Sequence, residues 1–223
     1  HCGLPGPSLE SVLKCEHKYW SRCEQVNLLP QHIPKFQSLN PFSQNPLNEL
    51  VINFPFWIKP VKSLLSNLGF RVNNQQDFDH AIKEIRNGIG RFGNPFNQVL
   101  SYAVLPEHIA PIDGYHCIVE ELISAGHQCT VEGYALDDDV CVYGVVDSIR
   151  EGRHLSSFSR YQYPSLLPES VRRRMKDISK KFIRHIGLNT STFNIEFFWN
   201  PDTDKIFLLE VNPRASRTVP YLS

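Results

Sequence analysis

Glu196, Glu210 and Asn212 are oxygen donors whose types and spacing in this 223-residue chain suit a hard divalent cation. They lie in TFNIEFFWNPDTDKIFLLEVNPR, residues 192–214. There Phe193, Ile195, Phe197 and Trp199 alternate with Asn194, Glu196 and Phe198, a strand period. A second run follows the turn-forming residues 200–204, so the stretch reads as a hairpin. With the turn centred on Thr203, Glu196 lies opposite Glu210, and Ile206, Leu208, Glu210 and Asn212 share a face. Phe207, Leu209 and Val211 take the other face. Carboxylates so opposed repel by roughly 3 kcal/mol at an effective dielectric near 20. A magnesium ion would turn that repulsion into coordination and would also take substrate phosphates as ligands. The plainer alternatives are a solvated edge or a slipped register. The apolar neighbours of Glu210 weigh toward coordination, because an unpaired carboxylate is costly there.

Other charged residues admit two readings each. Lys59 ends the aromatic strand-like run 54–60, where a lysine either snorkels outward or is aimed at a ligand. Lys18 and Arg22 are four apart on one helical face, ordinarily a solvated one. Glu120 and Glu121 close an apolar run at 117–123. Arg150, Arg153 and Arg160 sit in a polar stretch that reads as a surface loop, within reach of an anion at most. There is no GxSxG, no recognisable Cys–His pair and no zinc spacing.

These residues need a scaffold, and the chain is long enough to bury a large core in two lobes or two small domains. Lys plus Arg and Asp plus Glu number 23 each, so no charge run marks a nucleic-acid partner or an anionic membrane. No apolar run approaches a transmembrane length. The six cysteines show no CxxC pair, and those at 117, 129 and 141 fall in strand-like runs. The expectation is reduced thiols in a cytoplasmic protein. A chain that begins at His1 and stops soon after a motif reads as a piece of something longer.

In order, Ser8 is expected to cap a helix running to about Cys23, followed by a polar loop over 30–50 with one short extended piece. A strand at 54–60, a loop and a strand at 70–72 lead to a helix capped by Asp77, with Phe78, Ala81, Ile82, Ile85 and Ile89 in period. Residues 90–113 read as irregular. Strands follow at 117–123, 128–135 and 140–147, the last two joined by a tight turn at 136–139. A helix from Pro168 to Ile186, ended by Gly187 and with a solvated basic face, precedes the hairpin.

Taken together, the parts resemble the nucleotide-binding core of the ATP-grasp carboxylate–amine ligases, over nearly the whole length. The most specific piece is Glu210-Val211-Asn212-Pro213-Arg214, an ExNxR signature after a strand bearing Glu196. NPRASRTVPYL, residues 212–222, looks particularly like carbamoyl-phosphate synthetase and its relatives. The Phe-Pro-x-x-x-Lys-Pro strand, the Glu-Glu-Leu-Ile run and the GLPGxS opening agree with it.

The resemblance implies an α+β ATP-grasp fold, two lobes of antiparallel sheet plus helices holding ATP between them. It implies a linker helix and loop over 1–47, a small lobe over 48–118 and a large lobe with the metal site over 119–223. It also implies a preceding α/β domain and a C-terminal continuation outside this chain. By position, Lys59 matches the lysine on the α- and β-phosphates and Lys18 a nucleotide-contacting lysine. Glu120, Glu121 and Ile123 match the hinge bordering adenine, and Gln128 stands where a glutamate often meets the ribose. Glu196, Glu210 and Asn212 match the ligands of magnesium, with manganese as the substitute metal. Arg214 matches the arginine steadying the transferring phosphoryl group or acyl phosphate. The loop after Lys59 is less glycine-rich than in many members, and the motifs of biotin carboxylases are absent.

The expected activity is ATP- and magnesium-dependent ligation of a carboxylate, activated as acyl phosphate, to an amine, with amino-acid-like substrates. Expected partners are small molecules, with no nucleic acid and no membrane; a homodimer stays open. Two alternatives remain at this stage: a nucleotide-binding regulatory or interaction module without turnover, and a carbamoyl-phosphate-type enzyme using bicarbonate.

Overall fold

One expected helix is two. Ser8 caps α1 (Leu9–Glu16), its Oγ accepting from Ser11 N at 3.2 Å. The chain bends at His17 and resumes as α2 (Lys18–Leu28). Fully buried, His17 uses Nδ1 to accept from Trp20 N (3.2 Å), while Nε2 bonds the carbonyl of Ile112 (2.7 Å). That pattern places the ring proton on Nε2 and makes the imidazole the cap of α2. Burial is the largest influence on the ring and pushes its pKa below the ordinary 6.5. The unfolded chain therefore binds this proton more readily than the folded one, and stability is expected to fall as pH drops below 6.5. Thermal melts on either side of that pH check it. His17→Asn keeps a capping acceptor and cannot titrate, so it should flatten the dependence; an unchanged slope would exclude His17 as its source.

The computed structural model describes residues 3–64, 66–123, 126–149 and 160–216, and these divide into two units. The second unit (His17–Cys23 and Pro34–Ile123) is built on β1 (Phe36–Leu39), β2 (Phe56–Pro60), β3 (Phe70–Val72) and β4 (Cys117–Glu121). All pairings are antiparallel, in the order β1-β4-β2-β3. β1 is the extended piece expected within the polar segment 30–50. Alternation puts Phe56, Ile58 and Val119 on one face of the sheet. Against them pack Phe78, Ala81 and Ile85 of α3 (Gln75–Gly88). The cap of α3 is Asn74, not Asp77: Asn74 Oδ1 accepts from Asp77 N at 3.0 Å, and Asp77 lies within the first turn. The supposedly irregular 90–113 contains α4 (Gly90–Leu100). Gly90, Gly93 and Pro95 hide it, since each is a poor helix former. Gly93 is required by packing, because a Cβ there would lie 2.7 Å from the carbonyl oxygen of Gly114.

The first unit (His1–Glu16, Glu24–Ile33 and Ser124–Ser223) holds a five-stranded antiparallel sheet in the order β7-β6-β5-β8-β9. Its strands are β5 (His127–Leu136), β6 (Asp139–Ile149), β7 (Arg160–Gln162), β8 (Ser191–Asn200) and β9 (Lys205–Asn212). Asp137 and Asp138, at φ 51° and 67°, make the tight β5–β6 turn that Asp tolerates. α5 (Glu169–His185) buries Val171, Met175 and Phe182 in a core shared with Val131, Ile195 and Leu208. It ends in a Schellman motif: Leu188 N donates to Ile183 O (3.2 Å), Gly187 N to Arg184 O (3.1 Å). Gly187 sits at φ +68°, so Gly187→Ala should cost about 1–2 kcal/mol, a drop of a few degrees in a thermal melt.

The β8–β9 hairpin corrects one expectation. Its turn is centred between Asp202 and Thr203, with Asn200 opposite Lys205 and Phe197 opposite Leu208. A bulge at Leu209 then restores Glu210 to its place opposite Glu196. The extra residue also switches faces. Ile206, Leu208 and Val211 all point into the core, so Glu210 and Asn212 lie opposite Ile206 and Leu208 instead of beside them.

The five described cysteines form no disulfide, and no helix among the described residues is long and apolar enough to cross a membrane.

Candidate functional site

The candidate residues fall into two groups. Gln128, Glu196, Glu210, Asn212 and Arg214 belong to the first unit, and Lys18, Lys59, Glu120, Glu121 and Ile123 to the second.

In the first unit the core side chains of β5, β8 and β9 leave the alternate positions on the opposite face. Glu196 is the register partner of Glu210 on one side and of Thr130 on the other. Gln128 Nε2 donates to Glu196 Oε2 at 3.0 Å. Asn194 pairs with Asn212, and Asn212 Nδ2 donates to Asn194 Oδ1 at 3.1 Å. Asn194 Nδ2 in turn donates to the carbonyl of Arg214 at 2.9 Å. Thus Asn194, only 3% exposed, engages the donor end of the Asn212 amide and holds the main chain of Arg214. Asn212 Oδ1 is the acceptor that remains, 3.4 Å from Arg214 Nη2, while the Arg214 side chain is exposed. Sequence reasoning passed over Asn194. Its signal is a polar residue one alternation before Glu196 in a strand otherwise rich in apolar side chains.

Two carboxylates and an amide oxygen on neighbouring strands fit an oxygen-loving cation that keeps other ligands from water or phosphate. The described residues hold no cluster of three or more His, Cys, Asp or Glu, so a cage made by the protein alone is not formed among them. Beside this face lies a pocket of about 600 Å³ lined by Gln128, Ser148, Ile149, Leu167 and Phe198. A second cavity, about 470 Å³ between Pro46–Glu49 and α3, contains none of the candidate residues.

In the second unit β4 carries Glu120 opposite Trp57, two positions from Lys59 on the same face of β2. Lys59 Nζ lies 2.8 Å from Glu120 Oε2, and Arg22 Nε 2.6 Å from Glu120 Oε1. Burial pushes the Glu120 carboxyl up, but Arg22 and Lys59 together outweigh it and bring the pKa down to about 2. The helix pair Lys18 and Arg22, read from sequence as solvated, is corrected here: Arg22 is 3% exposed. Lys18 starts α2 against the loop that follows β2, its N donating to Val61 O (2.9 Å) and its Nζ to Ser63 O (3.4 Å). In that loop Ser66 and Leu68 occupy the left-handed region at φ 57° and 56°, where glycine is usual. Glu121 is half exposed, its N bonded to Lys35 O and its carboxylate 3.2 Å from Lys35 Nζ. Ile123 follows β4 and is half-buried. Arg160 opens β7 opposite Ile149, while Arg150 and Arg153 lie outside the described residues.

Comparison with known proteins identifies the family and the fold. Residues 52–218 match the family model described as the ATP-grasp domain. Over 124 residues the chain is 32% identical to the carbamoyl phosphate synthase large chain, C-terminal section, of Methanopyrus kandleri, covering 54% of this chain and 21% of that protein. Among solved structures it is similar to an L-amino acid ligase from Bacillus licheniformis (TM-score 0.73, 18% identity, 96% of this chain and 46% of that one). It is also similar to a biotin carboxylase–β,γ-ATP complex from Campylobacter jejuni (TM-score 0.69, 17% identity, 97% and 44%). The chain therefore spans about a fifth of that curated relative and under half of each of these two structures. With the family model covering most of its length, the chain belongs to the ATP-grasp domain family and has the ATP-grasp fold.

Proposed function

We propose that the protein of which this chain is part is an ATP- and magnesium-dependent ligase that joins a carboxylate to an amine through an acyl phosphate. The observation that carries this reading is the register setting Glu196 against Glu210, with Asn212 on the same face.

The chemistry explains the residue types. Transfer of the γ-phosphoryl group to a carboxylate brings several anions together, so catalysis is mainly positioning and charge stabilisation. Glu196, Glu210 and Asn212 Oδ1 would hold the magnesium ion, which would supply neutralisation of charge on the phosphate oxygens. Lys59 holds phosphate oxygens, and Lys18 contacts the nucleotide. Main-chain groups of Glu121 and Ile123 border adenine, and Gln128 reaches the ribose hydroxyls. A carboxylate oxygen of the substrate attacks phosphorus as the bond to ADP breaks, giving an acyl phosphate and ADP. The amine nitrogen then attacks the acyl carbon, phosphate departs with its bridging oxygen, and the amine loses a proton. Arg214 steadies the phosphoryl group in both steps. No protein nucleophile is required.

The likeness to a carbamoyl phosphate synthase section favours one second reading, in which the carboxylate is bicarbonate. ADP and phosphate release from the full-length protein, with magnesium and ATP, separates the two. Release that needs an organic carboxylate pool and rises with an amine pool supports the first, whereas release on bicarbonate alone supports the second. Magnesium-ATP raising the melting temperature with no release in any arm would overturn both in favour of a binding module.

A further inference from the structure

Glu120 is a single buried carboxylate between two cations. Its side chain is 7% exposed, that of Arg22 4% and that of Lys59 20%. Arg22 Nε takes Oε1 and Lys59 Nζ takes Oε2, so the three groups carry one net positive charge. Arg22 stays fully charged at any working pH and reaches Glu120 from α2, on the face of the sheet that bears Lys59. Lys59, the most exposed of the three and at the open end of a flexible stem, is the member placed to meet an outside anion.

We infer that Arg22 is a positioning residue: it neutralises Glu120 so that the Lys59 charge remains for a phosphate ligand. This rests on the reading that Lys59 meets phosphate. Were Arg22 absent, Lys59 would be the counter-ion of a buried carboxylate, and each phosphate contact would compete with that pairing. A carboxylate left uncompensated in such a place is strongly unfavourable, so Glu120 would retain the lysine.

Charge balance makes the inference testable. The affinities of the full-length protein for ADP and for adenosine, which lacks phosphate, are measured for five forms: wild type, Arg22→Met, Arg22→Met with Glu120→Gln, Lys59→Met, and Arg22→Met with Lys59→Met. Arg22→Met should weaken ADP roughly tenfold while adenosine is unchanged. Adding Glu120→Gln frees Lys59 again and should bring the ratio of ADP to adenosine affinity back to near the wild-type value, a rescue that damage to the fold would not give. In the Lys59→Met background Arg22→Met should add no further loss. If Lys59→Met leaves ADP binding unchanged, the phosphate reading of Lys59 fails and this inference with it. If Lys59→Met weakens ADP but Arg22→Met does not, or Glu120→Gln gives no recovery, the role of Arg22 is overturned while that of Lys59 stands. Should Arg22→Met melt below the assay temperature, the doubly substituted form with no buried pair carries the test. There, a ratio of ADP to adenosine affinity near that of wild type upholds the inference and a tenfold lower ratio overturns it.

Discussion

Glu210→Ala is expected to lower magnesium-dependent ATP turnover at least about a hundredfold while leaving the fold intact. Glu210 and Glu196 are register partners on β9 and β8, and the Leu209 bulge turns Glu210 away from the core that Leu208 and Val211 fill. Removing the Glu210 carboxylate therefore opens no core cavity. It also removes one of two like charges set against each other by the register, so the metal-free melt of each form is the reference from which the effect of magnesium-ATP is read. Magnesium and ATP should raise the melting temperature of wild type and leave that of the variant nearly unchanged, because only wild type gains the stabilisation of a ligand bound to the folded state. Melts with and without magnesium-ATP, beside an ADP-release assay, read both effects. Metal-dependent turnover surviving in Glu210→Ala would sink the metal-ligand assignment.

A loss of stability, not of activity alone, is expected at Glu120. Glu120→Ala deprives Arg22 and Lys59 of their shared carboxylate and should cost about 3–5 kcal/mol, roughly 10 °C in the melt of the chain. Glu120→Gln keeps the volume and one of the two acceptor oxygens and should cost less. The pH dependence has a defined sign. Burial opposes ionisation, but Arg22 and Lys59 hold the folded-state pKa at about 2 against an ordinary 4.5. The contribution is thus fully present above pH 4.5 and is lost as pH falls toward 2. The gap between wild type and Glu120→Gln should narrow across that window. A gap that stays constant there would mean that ionised Glu120 is not what the cations stabilise.

Local patterns carried much of this architecture because they act over short spacings. The period of α5 with its Gly187 stop, the Asp-rich β5–β6 turn and the alternation of β8 all form as read. The opposition of Glu196 and Glu210 was anticipated through a turn one half-step out of place, and the bulge at Leu209 compensated for the error. A bulge depends on which side chains the core accepts, here Leu208 and Val211, and alternation alone cannot announce it. α4 escaped notice because its glycines answer a tertiary demand, the approach of Gly93 to Gly114, which overrides helix propensity. Arg22 was misjudged for a similar reason. A helical i, i+4 pair of cations looks solvated until a strand 98 positions away brings a carboxylate to it. Asn194 and the break at His17 depend likewise on partners far along the chain or on exact ring contacts, Arg214 and Ile112 among them.

The most direct test of the ligase account follows an oxygen atom. Full-length protein is given magnesium, ATP and amine together with the active carboxylate, its carboxyl oxygens labelled with the heavy isotope. An acyl phosphate must leave one of those oxygens on the departing phosphate. The account predicts one heavy oxygen per phosphate released, seen by mass spectrometry, and no such transfer when Glu210→Ala replaces wild type. Phosphate released in step with product but free of label would contradict acyl-phosphate activation and, with it, the role given to the Glu196, Glu210 and Asn212 face.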